Sequence, residues 1–225
     1  MFKFKGISSE EMQVVIEEEE HFIARAAQRY ETTEIEGRDG AIFDELGYSY
    51  VERPIYVQCL NIEKIDDILA WLNGEGEFEY KGRKTIARFY SQAEPQRSVC
   101  IRIIDTQFIR DPFWNKAIDE YTTVTNNITN EGNYASRPII RLEKVNSSSV
   151  EITTGGVRFK YTFPENEDYV EIDCKGKTAL YEGLNRSRQL IIGYDFPKLE
   201  VGNNTITVHS GNATIKVKRK DRWLW

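Results

Sequence analysis

The sequence predicts a mainly β protein of two domains: an α+β N-terminal domain with one clear helix, then an antiparallel β-sandwich. Three observations carry this. The second half alternates apolar and polar residues in short runs at roughly 8–12-residue spacing, with turn residues between them, which is the pattern of a sandwich or barrel. Tyr and Phe are plentiful, 12 and 11 in 225 residues, and such rings favour strands. One stretch is clearly helical.

In the first half, "QVVIE", "YVQCL", "KTIARFY" and "SVCIRIID" read as strands. Between them, "NIEKIDDILAWLNG" sets Ile62, Ile65, Ile68, Leu69 and Leu72 on one face at helical spacing. Asn61 suits the N-cap, Glu63 the first turn and Gly74 the C′ position, so a helix is predicted over 62–72. Trp71 reads as partly buried beside that face. "EEEEHFIARAAQRY" also has some helical period.

The polar run Thr122 to Arg137, "TTVTNNITNEGNYASR", marks the domain boundary, giving domains 1–125 and 126–225. Pro138 then opens an apolar segment and holds the residue before it extended. Downstream, "PIIRLE", "SVEITT", "VRFKYTF", "YVEIDC", "QLIIG", "NTITVHS" and "ATIKVKR" read as strands. Gly155-Gly156 and Gly211-Asn212 punctuate them.

Glu36-Gly37-Arg38-Asp39-Gly40, within "TEIEGRDGAIFDELGYSY", has the residues of either a ligand loop or a backbone bend. A phosphate cradle runs strand, glycine loop, helix. Here another extended segment follows Gly40, and Asp-Gly between apolar runs is a turn signal, so the bend is favoured. Ile35-Glu36-Gly37-Arg38 also matches a protease site used in engineered proteins.

Composition narrows the function classes. No stretch approaches the roughly 20 apolar residues that span a bilayer, and the N-terminus lacks a signal-type apolar region, so folding in a cytoplasm is expected. Cys59, Cys100 and Cys174 are scattered without metal-type spacing and read as buried thiols. Sequons at Asn127, Asn146, Asn185, Asn203 and Asn212 read as turn-rich composition. Residues 1–120 carry 15 Lys+Arg against 24 Asp+Glu, and residues 121–225 carry 15 against 12. An acidic first half argues against gripping nucleic acid.

Catalytic signatures are missing. His21 and His209 are the only histidines, and His209 reads as a strand-surface or packed residue. No G-x-S-x-G, Walker A, G-x-G-x-x-G or H-E-x-x-H motif occurs. Glu165, Glu167 and Asp168 in "PENEDY" could face a calcium ion, but the loop lacks EF-hand spacing, and a hairpin connection is expected. Glu17–Glu20 reads as a solvated strand edge. Tyr161, Tyr169, Tyr181, Tyr194, Trp223 and Trp225 could stack on a saccharide or pack between sheets. No catalytic, cofactor-binding or metal residue is assigned, and no cofactor is expected.

One ordered set of fragments resembles a known family. "FKGISS", "YETTEIEGRDG", "LAWLNGEGEF", "FIRDPFW", "NEGNYASRPII" and "FPKLEVGNNTITV" resemble, in that order over nearly the whole chain, siphophage distal tail (Dit) proteins. The resemblance implies a non-enzymatic virion protein, made in a bacterial host cytoplasm and placed at the tail tip. It implies a homo-oligomeric ring, commonly a hexamer, built by the N-terminal domain. The C-terminal sandwich, galectin-like or carbohydrate-module-like, projects as an attachment platform. The implied partners are further copies of the chain, the tail tube protein, and a tail-associated lysin or fibre and receptor-binding protein. DNA passes through the lumen without specific binding, and no membrane is involved. An acidic lumen would repel that DNA. The resemblance also implies that Phe22–Tyr30 is extended. The reading of a different class is a carbohydrate-binding module or adhesin acting through the C-terminal sandwich.

Overall fold

The computed structural model describes residues 1–17, 19–98, 101–193 and 195–225. Glu18, Cys100 and Tyr194, each singled out above, lie outside that set. The chain divides into two units, residues 1–117 with 224–225, and residues 118–223. No described helix is long and apolar enough to cross a membrane.

In the first unit the strands are β1 (Phe2–Phe4), β2 (Ile7–Ser8), β3 (Val14–Ile16), β4 (Gln28–Glu34), β5 (Ala41–Tyr48), β6 (Val51–Cys59), β7 (Gly74–Tyr80), β8 (Arg83–Phe89), β9 (Glu94–Ser98), β10 (Ile101–Arg110) and β11 (Trp114–Lys116). The main sheet runs β2-β1-β7-β8-β10-β6-β3, with β9 beside β10 and β11 beside β8. Its inward face is aromatic. Phe22 sits with its ring centroid 4.8 Å from Phe78, 5.0 Å from Phe108 and 5.2 Å from Tyr80, all tilted or edge-on, the arrangement the ring quadrupole prefers.

Helix α1 (Ile65–Trp71) follows a 3₁₀ turn over Ile62–Lys64, and the Asn61 side chain accepts the Glu63 N–H at 3.1 Å. Ile68, Trp71 and Leu72 are buried, and the Trp71 indole N–H reaches the Phe4 carbonyl at 2.8 Å. Ile62, expected on the same face, is exposed. The 3₁₀ turn, with three residues per turn, rotates it off the apolar stripe.

Two other expectations change. Phe22–Tyr30 is not extended throughout: Glu19–Ile23 forms a 3₁₀ turn and the strand starts only at Gln28. The turn drives Phe22 into the core, while Glu19 accepts the Tyr80 hydroxyl at 2.7 Å and the terminal amine at 3.1 Å. That tertiary use of Glu19 also removes the solvated strand edge read into Glu17–Glu20. The run "SVCIRIID" belongs to a hairpin of β9 and β10, Ser98 opposite Ile101, with Val99 and Cys100 outside the described residues.

The sequence "FIRDPFW" acquires a physical reason. Arg110 is fully buried, and its guanidinium donates to the carbonyls of Phe22 (3.0 Å), Ala24, Asp111 (2.7 Å) and Pro112 (3.1 Å). Its Cζ lies 5.1 Å from the centroid of the buried Trp114 ring. One planar five-donor group thus satisfies carbonyls of two irregular segments, Phe22 and Ala24 on one and Asp111 and Pro112 on the other. Burial pushes its pKa down to about 10.

In the second unit the strands are β12 (Thr122–Val124), β13 (Asn127–Asn130), β14 (Ile139–Lys144), β15 (Ser149–Thr154), β16 (Val157–Thr162), β17 (Tyr169–Asp173), β18 (Thr178–Tyr181), β19 (Leu184–Asn185), β20 (Leu190–Ile192), β21 (Gly202–Ser210) and β22 (Ala213–Lys218). They form two antiparallel sheets, β12-β22-β14-β17-β18-β19 and β13-β21-β15-β16-β20. Ile140, Leu142, Val170 and Ile172 of one sheet share a core with Val150, Ile152, Phe159 and Ile206 of the other, as strict alternation requires.

The polar run Thr122–Arg137 is more than a connection. It supplies β12 to one sheet and β13 to the other, burying Val124 and Ile128. Nor is "PENEDY" a hairpin loop, because β16 and β17 lie in different sheets. Glu167 is buried there, accepting from Arg186 and from the Tyr161 hydroxyl at 3.3 Å. Gly155-Gly156, both at positive φ, does close a hairpin between β15 and β16. Gly211 instead turns the chain between sheets, where a Cβ would lie 2.0 Å from the Ser149 carbonyl oxygen.

Candidate functional site

Glu36–Gly40 forms the tip of a two-stranded ribbon. β4 and β5 pair only with each other, from Gln28 opposite Tyr48 to Glu34 opposite Ala41, with an irregularity between Arg29 and Tyr30. Gly37 and Gly40 take φ of +79° and +80°, which L side chains adopt rarely. The base is held: the Ser49 N–H reaches the Ala27 carbonyl at 2.9 Å, and the Tyr48 and Phe113 rings meet edge-on at 5.6 Å. Beyond the base both faces are open to solvent.

The ribbon's surface is not that of an ordinary solvated arm. Tyr30 and Phe43, 58% and 62% exposed, meet ring to ring at 5.5 Å on one face, and Ile35, Ile42 and Leu46 are exposed as well. Opposite-strand partners share a face, so Glu31 stands against Asp44 on the other side, a like-charge pairing that disfavours the ribbon in water. From Gln28 to Tyr48 the charged residues are six acids (Glu31, Glu34, Glu36, Asp39, Asp44, Glu45) and two bases (Arg29, Arg38). An isolated two-stranded hairpin is marginal by itself. These features fit an arm completed by contact with another surface.

The other candidate positions have local roles. His21 Nδ1 lies 2.8 Å from the Pro54 carbonyl, and His209 Nε2 lies 2.8 Å from the Thr153 hydroxyl on an irregular stretch of β21. Among the described residues no group of His, Cys, Asp and Glu is placed to hold a metal ion. Cys59 and Cys174 are buried, and burial pushes the Cys174 thiol up to about 12.

Among the described residues of the second unit, the aromatic set does not converge on a platform. Tyr161 is interior, while Tyr169 and Tyr181 are half-buried 5.0 Å apart. The Arg141 guanidinium covers the Tyr169 ring at 3.8 Å, and Arg141 also pairs with Glu143 at 3.1 Å and Glu171 at 3.3 Å. Glu171 accepts the Tyr121 hydroxyl at 2.6 Å, and Lys216 meets Glu143 at 2.8 Å. This sheet face is satisfied internally, and its most central ring is already stacked. Trp223 is half-buried and Trp225 is 50% exposed.

The first of the two β-rich units thus carries a ribbon whose two strands pair only with each other. Residues 131–223 match the SPP1 Dit family, described as siphovirus-type tail component, C-terminal domain. Over those residues the second unit is thus similar to the C-terminal domain of this family of phage tail components. The chain's fold is that of the SPP1 Dit protein, whose crystal structure is described as a paradigm of the hub adsorption apparatus in phages infecting Gram-positive bacteria. The two share 14% identity over 96% of each chain, with a TM-score of 0.69. The phage P2 baseplate in its activated conformation with Ca also matches, at 10% identity and a TM-score of 0.36 over 92% of this chain and 91% of that one. The same baseplate with Sr matches at 11% and 0.33, with the same coverage. No curated protein sequence matches the chain.

Two of the sequence fragments singled out above have physical roles. In "NEGNYASRPII" the buried Asn130 donates to the carbonyls of Tyr134 (3.1 Å) and Leu199 (3.0 Å) and accepts the Gly132 N–H at 2.9 Å. In "FPKLEVGNNTITV" the Asn204 side chain accepts the Glu200 N–H and donates to the Glu200 and Gly202 carbonyls, at 2.8–2.9 Å. The arm itself was missed as a surface. Its apolar residues are spaced like those of a half-buried strand, and only the missing third strand distinguishes the two.

Proposed function

We propose that the chain is the subunit of a closed homo-oligomeric ring, most simply a hexamer, at the distal end of a siphophage-type tail. The ring joins the tail tube protein to the baseplate and to a lysin, fibre or receptor-binding protein, and DNA passes through its lumen without specific binding. The observation that carries this reading is the β4–β5 ribbon: exposed aromatic residues and a like-charge pair on an arm that joins no other sheet. A ring needs two different patches on each subunit, and the ribbon is a candidate for one. The first unit carries 15 Lys+Arg against 22 Asp+Glu, which suits a lumen that repels phosphate. A basic lumen with the acids on the outer rim would refute that part.

The ribbon tip supplies its own test. Ile35-Glu36-Gly37-Arg38 is exposed, and a protease specific for Ile-Glu-Gly-Arg cuts after Arg38. The dissociated subunit is expected to be nicked readily, and the assembled ring to be protected or to dissociate as it is cut. Equal cleavage rates, with the assembly surviving the nick, would refute a role for the arm. The carbohydrate-module reading has less support, because Arg141 occupies the ring face that a sugar would use.

A further inference from the structure

The chain has one Asp-Gly dipeptide, Asp39-Gly40, and one Asn-Gly, Asn73-Gly74. Both can rearrange without any catalyst. The glycine nitrogen attacks the side-chain carbonyl carbon of the residue before it, and with no Cβ on the glycine nothing hinders the approach. The new C–N bond closes a five-membered succinimide, as asparagine expels ammonia or aspartic acid expels water. Water then opens the ring at either carbonyl, leaving aspartate or isoaspartate. In an unfolded chain at neutral pH the amide closes faster than the carboxyl, so sequence alone ranks Asn73 first.

The fold reverses that order. Ring closure requires the backbone of the pair to move, and Asn73-Gly74 is held on both sides. The Asn73 carbonyl accepts the Lys5 ammonium at 2.5 Å, and the preceding Leu72 N–H bonds to the Ile68 carbonyl at 2.9 Å. Gly74 opens β7 in register with Phe89 of β8, and a Cβ there would lie 3.7 Å from the Lys5 Nζ. Asp39-Gly40 has no such hold. Both residues are exposed and lie beyond Glu34 and Ala41, where the pairing of β4 with β5 ends. The backbone hydrogen bond inside that loop, Arg38 N–H to the Ile35 carbonyl at 3.1 Å, stops short of the pair. A Cβ at Gly40 would meet nothing within 4 Å, so the space for ring closure is open. Exposed loops with few backbone hydrogen bonds open at the least cost in free energy.

We propose that Asp39 is a site of spontaneous isoaspartate formation, and that in the folded chain it reacts ahead of Asn73. The water lost on ring closure is regained on opening, so mass is unchanged. The product routes the main chain through the former side chain, which adds a methylene to the backbone of the ribbon tip and leaves the carboxylate directly on Cα. The assignment rests on the openness of the tip and does not depend on the ring reading.

The test is to incubate the full chain at neutral pH, warm but below unfolding, beside a sample in denaturing urea. A protease that cuts after glutamate then releases Asp39 within residues 37–45 and Asn73 within residues 64–75. From the folded chain, the 37–45 peptide should split with time into two species of one mass, the new one labelled by an isoaspartate-specific methyltransferase. The 64–75 peptide should keep its starting mass over the same period. In urea the order should reverse, with Asn73 turning to acid first. Asp39→Glu, which keeps the charge but closes only a slower six-membered ring, should abolish the labelled species. Deamidation of Asn73 ahead of Asp39 in the folded chain would overturn the proposal. So would a 37–45 peptide that stays single, labelling that survives Asp39→Glu, or the same order of reaction in urea.

Discussion

Replacing Tyr30 and Phe43 with serine separates assembly from folding. A Phe or Tyr side chain offers roughly 200 Å² for burial, and the observed exposures of 58% and 62% leave a little over half of that for a partner to cover. At about 25 cal/mol per Å² this gives about 3 kcal/mol per ring, or about 6 kcal/mol per interface when both are covered. Either single substitution should therefore raise the concentration needed for assembly by about 100-fold. The subunit's own stability should change little, since only the Tyr30–Phe43 contact at 5.5 Å is lost, worth under about 1 kcal/mol. Sedimentation velocity over a concentration series reads the first effect, and urea unfolding of the dissociated subunit reads the second. Unchanged assembly in the double variant would refute the reasoning. So would a loss of several kcal/mol of subunit stability, because the rings would then be serving the subunit's own fold.

Arg110→Met should destabilise the first unit by about 3 kcal/mol, because one buried and three part-buried carbonyls lose their donor at once; a shift below about 1 kcal/mol in urea unfolding would show that water or neighbouring groups replace the guanidinium. Alkaline stability should fall from about pH 9. The Cys174 thiol ionises near 9.0 when unfolded but only near 12 when folded, so between those values the folded state keeps a proton that the unfolded state has lost, and stability declines as pH rises. Cys174→Ala should flatten that part of the profile, and an identical slope would show that other groups set it.

Much of the fold was legible because its physics is local. Alternation in "SVEITT" and "VRFKYTF" placed β15 and β16 correctly, and the Gly155-Gly156 turn joined them. Asn61 capped the helix turn as expected. What escaped was set by tertiary contacts. Phe22 is drawn into the ring cluster around Phe78 and Phe108, and that fixes a 3₁₀ turn where an extended segment was expected. Val124 and Ile128, two apolar residues in a polar run, were enough to anchor β12 and β13 once neighbouring strands offered their edges. The passage of "PENEDY" between sheets depends on Glu167 finding Arg186 and Tyr161, a pairing no local pattern encodes. The arm was legible as a bend at Glu36–Gly40, but its lack of a third strand is a property of the whole unit.

Solution mass by light scattering behind a sizing column, over a wide concentration range, tests the central claim most directly. The account predicts one discrete closed assembly, about 157 kDa for six copies of the 26.2 kDa chain, in equilibrium with the subunit. A mass of 26.2 kDa at every concentration, or an open-ended ladder of sizes, would contradict a ring closed by the subunit's own surfaces.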